Sequence, residues 1–216
     1  DWPTLFGESG VQYMLLNTSI QLSSEEPQRL TKAKTILTIA DAFNYLLSGV
    51  GRIEVSMAST TQLYNPRLGN WSDRLIQALE LPASIFPEVA QPATTLGPLK
   101  PELAGESGLA ELNVVASLSH DTACAVAACP TQSQRWAYIS SGTWSLMGLE
   151  LPEPIVTDAC RDFNFTNEIG YGGSIRLLKN IIGLWLVQEC RRAWVAEGND
   201  FSYAELAELA AAAEPH

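Results

Sequence analysis

Residues 112–130, LNVVASLSHDTACAVAACP, constrain the fold more than any other stretch of the chain. LNVVASL (112–118) is β-branched and apolar on both alternations, the pattern of a strand buried on both faces. TACAVAAC (122–129) is short-side-chained and helix-compatible, and Pro130 ends it. A buried strand feeding a helix reads as α/β, and the ionisable pair His120-Asp121 sits at the junction. Asp121 has two readings there that do not exclude each other. It can cap the helix, its carboxylate accepting the first free amides. It can also face a ligand, because the carboxyl ends of buried strands in open α/β sheets are where ligands sit. A carboxylate so placed can take a proton from a substrate hydroxyl while the histidine donates a hydrogen bond to the same molecule. Consecutive residues cannot present their side chains in triad order, so SHD is not a Ser-His-Asp triad.

Elsewhere the periodicity predicts one helix over 27–48, with Leu30, Ala33, Ile36, Leu37, Ala40, Phe43 and Leu47 recurring at steps of three and four and Gly49 as its stop. A second helix is predicted over 72–79, capped by Ser72. Residues 82–108 are rich in proline, glycine and small polar residues, which reads as irregular surface structure with one short strand. WAYISSGTWSLMGLE (136–150) reads as two strands around a Ser-Ser-Gly-Thr turn. A proline-broken loop over 152–173 precedes a nearly all-round apolar helix from Ser174 to about residue 196. That helix would carry Asn180 and Gln188 roughly 12 Å apart along its axis, where they could touch different parts of a ligand or simply satisfy backbone groups. An alanine-rich helix closes the sequence and stops abruptly, as in a piece of something larger. LFGESG and LAGESG are too short to make a structural repeat.

The formal net charge of -11 excludes a general nucleic-acid binder, since no basic excess is available to neutralise phosphates. A nucleotide site stays open, because backbone amides, hydroxyls or Mg2+ can meet phosphate without surface cations. ISSGTWS (139–145) offers Ser140, Ser141 and Thr143 with Gly142 between them; it is either an ordinary hairpin turn or a phosphate cradle. Neither a GxxxxGKS/T loop nor a GxGxxG fingerprint occurs. The four cysteines, 124, 129, 160 and 190, form no CxxC pair and read as small core residues without a catalytic role. No signal-peptide pattern or apolar run of membrane-spanning length is present, so the expectation is a cytoplasmic protein without membrane partners.

Three words, SHDTACAVAACP, AYISSGTWSLMGLE and FTNEIGYGGSIRLLKNIIGLWLVQE, together resemble the FGGY carbohydrate kinases, most closely their rhamnulokinases. ILTIADAFNYLLSG and EVSMASTTQLYNPRLGNWSDRLI fit the same family, so the resemblance covers nearly the whole chain. It implies an α/β, actin-like ATPase fold with ribonuclease-H-like domains, parts of two of which flank a catalytic cleft. Residues 1–129 would be the C-terminal part of the first, sugar-binding domain and 130–216 the N-terminal part of the second, ATP-binding domain. Pro130 to Arg135 would be the crossover and a candidate hinge. The implied reaction is transfer of the γ-phosphoryl of Mg-ATP to a ketose, L-rhamnulose giving L-rhamnulose 1-phosphate in rhamnose catabolism. The resemblance makes Asp121 the catalytic base. It makes His120, Asp121, Thr122 and Asn180 sugar contacts, and Ser141, Gly142, Thr143 and Gln188 contacts to ATP. The family's DxGTS-like first phosphate loop has no match in residues 1–20, its glycine-rich adenosine segment is missing, and Cys124 stands where many relatives have serine. Two other readings remain: a kinase of fuculose, xylulose or a related polyol, and a non-catalytic fragment that keeps the fold.

Overall fold

The first helix of the chain starts at a side-chain cap. The structure is a computed structural model and describes residues 1–133 and 135–214; Gln134, Pro215 and His216, part of the expected crossover and second domain, lie outside the described residues. α1 (Trp2–Ser9) begins at Asp1, whose carboxylate accepts the Thr4 amide at 2.9 Å, and α2 (Thr18–Ser23) follows. The single helix expected over 27–48 is two helices, α3 (Pro27–Lys32) and α4 (Ile39–Ser48). Thr35, Ile36 and Thr38, between the two helices, are β-branched and resist the helix. The Ile36 amide donates instead to the Ile85 carbonyl at 2.9 Å. Gly49 stops α4 as expected, at φ 82°.

β1 (Ile53–Glu54) turns directly into α5 (Val55–Thr60), followed by the small hairpin of β2 (Tyr64–Asn65) and β3 (Asn70–Trp71). α6 (Asp73–Ala78) carries the predicted cap, the Ser72 hydroxyl accepting the Leu75 amide at 3.3 Å. Residues 82–108 are more ordered than expected. They form a 3-10 turn, β4 (Val89–Ala90) parallel to β1, β5 (Thr95–Pro98) and α7 (Pro101–Ser107). Ile53, Val55, Leu63, Leu75 and Ile76 form the centre of the core. Burying each such side chain contributes about 1.5–3 kcal/mol.

β6 (Asn113–Val115) pairs antiparallel with β5 and corrects the expectation of a strand buried on both faces. Val114 is buried, but Val115 is 46% exposed, because this two-stranded sheet has only one face on the core. α8 (Asp121–Ala127) follows after a connection over 116–120. It buries only Thr122, Ala123 and Val126, so Cys124 and Cys129 are exposed, as is Cys190; of the four cysteines only Cys160 is a core residue.

The predicted hairpin is present as β7 (Ala137–Ser141) and β8 (Trp144–Leu151). The expected loop over 152–173 holds α9 (Asp158–Asp162) and β9 (Phe165–Ile169). The long helix expected from Ser174 is instead β10 (Ile175–Ile182), then Gly183 and Leu184, then α10 (Trp185–Ala196). α11 (Tyr203–Ala212) has a full capping box between Ser202 and Glu205. β10 is central in an antiparallel sheet of order β7-β8-β10-β9. With partners on both edges and covered faces over most of its length, it has no continuous polar face to give it period two, a pattern that periodicity cannot tell from a buried helix. Ile169 and Ile175 of this sheet belong to the same core as Ile53 and Leu63, and the Ile169 amide donates to the Ser59 hydroxyl at 3.0 Å.

Candidate active site

α8 anchors on β7 through its buried stripe and projects its first turn outward. The cap residue is His120, and Asp121 is the first helical residue. Asp121 Oδ1 accepts the Thr122 amide at 2.6 Å and the Thr122 hydroxyl at 3.3 Å, so the capping reading holds in part. The Asp121 side chain is nevertheless 96% exposed. It does not sit at a strand end, because β6 stops at Val115 and the connection carries the pair onward.

His120 is largely buried. Its Nδ1 lies 3.5 Å from Asp121 Oδ1 without a hydrogen bond among the described residues, and its Nε2 lies 3.9 Å from Glu168 Oε2. Burial holds the imidazole below its ordinary pKa, opposed by the carboxylates of Glu168, Asp121 and Glu54 and reinforced by Arg176. A depressed folded value means that the unfolded chain takes up the proton first. Stability from this group is therefore full above the ordinary imidazole value of about 6.5 and falls as pH drops below it. We expect urea stability to decline between about pH 7 and pH 5.5, and His120→Asn to remove part of that slope. The difference between the two proteins isolates His120 from Asp41, whose burial raises its pKa and acts with the opposite sign. Equal slopes would contradict the assignment.

Behind His120 lies a buried polar cluster that the sequence reading did not single out. Arg176 is fully buried on β10, and its Nη2 donates to Glu168 Oε2 at 2.8 Å. The buried Tyr138 hydroxyl has a pKa pushed up to about 12, chiefly by burial, in the field of the Arg176 guanidinium and the Glu168 carboxylate. The available signal was Arg176 itself, since a cation inside an apolar run must be partnered.

Ser141, Gly142 and Thr143 form the tip of the β7–β8 hairpin, and α10 is latched to it. Leu184 and Trp185 donate their amides to the carbonyls of Gly142 and Thr143 at 2.9 and 3.2 Å. Gln188 Nε2 donates to Thr143 Oγ1 at 3.3 Å, so the structure brings together two residues that the sequence reading assigned to one ligand. The Gly142 amide is already used by the Trp144 carbonyl at 3.0 Å. Hydroxyls rather than that amide are what the tip offers a phosphate. Gly183 packs so tightly beneath the tip that a Cβ there would collide with the Gly142 carbonyl and the backbone and hydroxyl of Ser145. Gly183→Ala should therefore lower stability by about 1–3 kcal/mol, read as a shifted urea midpoint, and an unchanged midpoint would show that the latch is slack. Beside Thr143 lies a pocket of about 410 Å³ lined by Trp144, Ile182 and Trp185.

Asn180 and Gln188 do not share a helix. Asn180 is on β10, and its side chain donates to Gln12 Oε1 at 3.2 Å. Among the described residues no side-chain hydrogen bond joins Asn180 to His120, Asp121 or Thr122. Nor do the described residues contain a cluster of three His, Cys, Asp or Glu side chains able to hold a metal. No helix among them is long and apolar enough to cross a membrane.

The model of the FGGY carbohydrate kinase N-terminal domain matches residues 6–128, and that of the C-terminal domain matches residues 137–216. The chain belongs to the FGGY family of carbohydrate kinases. Among curated FGGY proteins it is 40% identical over 211 residues to rhamnulokinase from Bacillus subtilis, and 41% identical over 208 residues to that from Halalkalibacterium halodurans. Those alignments take in 98% and 95% of this chain but 43% and 44% of the relatives, so the chain spans less than half of their length. Among solved structures, a xylulose kinase from Lactobacillus acidophilus superposes with a TM-score of 0.81 at 15% identity, over 99% of this chain and 43% of that one. Plasmodium falciparum glycerol kinase superposes at 0.72 and 13%, over 88% and 40%. The actin-like ATPase fold expected of this FGGY chain is the one it shares with them.

Proposed function

We propose that the protein transfers the γ-phosphoryl group of ATP to the O1 hydroxyl of L-rhamnulose. The observation that carries this reading is the roughly 40% identity to rhamnulokinases over alignments that take in at least 95% of the chain, with both FGGY domain models matched. In this reading the first domain runs to residue 129 and the second begins at residue 130, and the protein works in the cytoplasm.

Asp121 is the base. Its Oδ1 is engaged by Thr122, which leaves Oδ2 to meet the sugar. As the O1–Pγ bond forms and the bond from Pγ to the β–γ bridging oxygen breaks, the O1 proton passes to Asp121 Oδ2 and ADP departs. The transition state is loose, so alignment and charge stabilisation carry most of the rate. His120, Thr122 and Asn180 orient the sugar. Thr143, whose oxygen already accepts from Gln188, is left to donate its own O–H to a phosphoryl oxygen, with Ser141 beside it. Mg2+ finds no ligand cluster among the described residues, and no step is assigned to it.

The test is a coupled ADP-release assay of the complete protein against L-rhamnulose, L-fuculose and D-xylulose. A kcat/KM highest for L-rhamnulose is expected. Preference for either other ketose would replace the substrate assignment, and absence of turnover with all three would remove the kinase reading.

A further inference from the structure

The exposure of Asp121 raises the question of what fixes its position. Its carboxylate is exposed, and its polar contacts among the described residues are with its neighbours Thr122 and His120. Its placement therefore depends on the backbone that precedes α8. Two side chains far away in sequence hold that backbone. Ser56 Oγ accepts the His120 amide at 3.1 Å, and Glu54 Oε2 accepts the Ser119 amide at 3.1 Å. The Ser56 hydroxyl also donates to Glu54 Oε2, so the two act as one unit. Both are fully buried, on β1 and the start of α5. The unit is anchored in turn by the Glu54 amide, which donates to the buried carboxylate of Asp41 at 3.1 Å.

A fully buried carboxylate is costly, and the core offers Glu54 little reason to be there. Its Oε1 has no hydrogen-bond partner among the described residues, while Oε2 is spent on Ser56 and Ser119. A carboxylate retained for one amide of the connection and for the hydroxyl that holds the next amide is a clamp on that connection. We propose that Glu54 and Ser56 are positioning residues for the phosphoryl-transfer step: they fix the amides of Ser119 and His120 and so present Asp121 to the sugar hydroxyl. The clamp acts through the backbone, and neither residue touches a reactant. This rests on the reading of Asp121 as the base.

The experiment uses the complete protein in four forms: wild type, Ser56→Ala, Ser56→Thr and Asp121→Asn. Amide hydrogen exchange and steady-state kinetics are measured on each. In Ser56→Ala the Ser119 and His120 amides should lose about tenfold or more of their protection while those of β8 and β10 keep theirs. Its kcat should fall about 10–100-fold, with KM for ATP within about twofold of wild type. Ser56→Thr, which retains the hydroxyl, should recover both protection and kcat; a merely structural role would not couple the two. If Ser56→Ala unfolds, Ser56→Thr and Glu54→Gln carry the comparison, and Glu54→Gln should deprotect Ser119 first. Wild-type kcat in a folded Ser56→Ala protein, or unchanged protection of both amides, overturns the clamp. Full turnover in Asp121→Asn overturns the base instead, and the exchange data then still decide whether Glu54 and Ser56 hold the connection.

Discussion

Asp121→Asn is expected to lower kcat by about 10²–10⁴-fold, the usual range for loss of a positioned general base, while KM for ATP stays near wild type. The substitution separates two roles that coexist at this residue. Asparagine keeps the acceptor, since its side-chain carbonyl can still accept the Thr122 amide that Oδ1 accepts now. Stability and the α8 terminus should therefore survive. Asparagine cannot accept the sugar proton. A residue that served the helix alone would leave turnover intact in this variant, and that outcome would strike Asp121 from the mechanism. ADP release with saturating ketose, followed beside a urea titration, reads both quantities on one preparation.

Removing Arg176 should produce the largest loss of stability. Its guanidinium is fully buried and its ion pair with Glu168, 2.8 Å long, lies against the His120 ring. Arg176→Met leaves the largely buried Glu168 carboxylate without its counter-charge, which is expected to cost about 3–5 kcal/mol. That is a large share of the 5–15 kcal/mol typical of a folded domain. The double variant Arg176→Met with Glu168→Leu should recover most of the loss, since apolar replacement of both partners is often neutral. Urea denaturation followed by circular dichroism checks both. A single-variant loss under about 1 kcal/mol, the range of a surface pair, would mean that the carboxylate finds water or another donor.

Local signals were the legible part of this chain. Ser72 announces its cap, Gly49 its stop, and the Ser-Ser-Gly-Thr tip its hairpin, because each depends on chemistry within a few residues. The family words were legible for the same reason, as unbroken strings. Pairing was not. β10 reads as a helix in sequence because an enclosed central strand has no continuous polar face to give it period two, and its neighbours β8 and β9 decide the matter. The helix predicted over 27–48 breaks at Thr35 and Ile36 because Ile85, distant in sequence, offers a carbonyl there. In the candidate site the sequence supplied Asp121, Thr143 and Gln188 but not Glu54, Ser56, Glu168 or Arg176. Those four show their character only as a cluster of buried charges and hydroxyls assembled from separate segments.

The core shared by the two halves limits how such a cleft can close. Ile169 and Ile175 are inserted among Ile53, Leu63 and Trp71, so the β9–β10 side of the sheet is riveted to the first half. A door-like swing about residues 130–135 would have to pull those rivets out. Travel is cheapest at the opposite margin, where the β7–β8 hairpin tip with α10 latched to it stands at the far end of the strands from Ile175. Any closing stroke would then be a flexing of the sheet that carries Thr143 and Gln188 together, with the core around Ile53 and Leu63 on the stationary side.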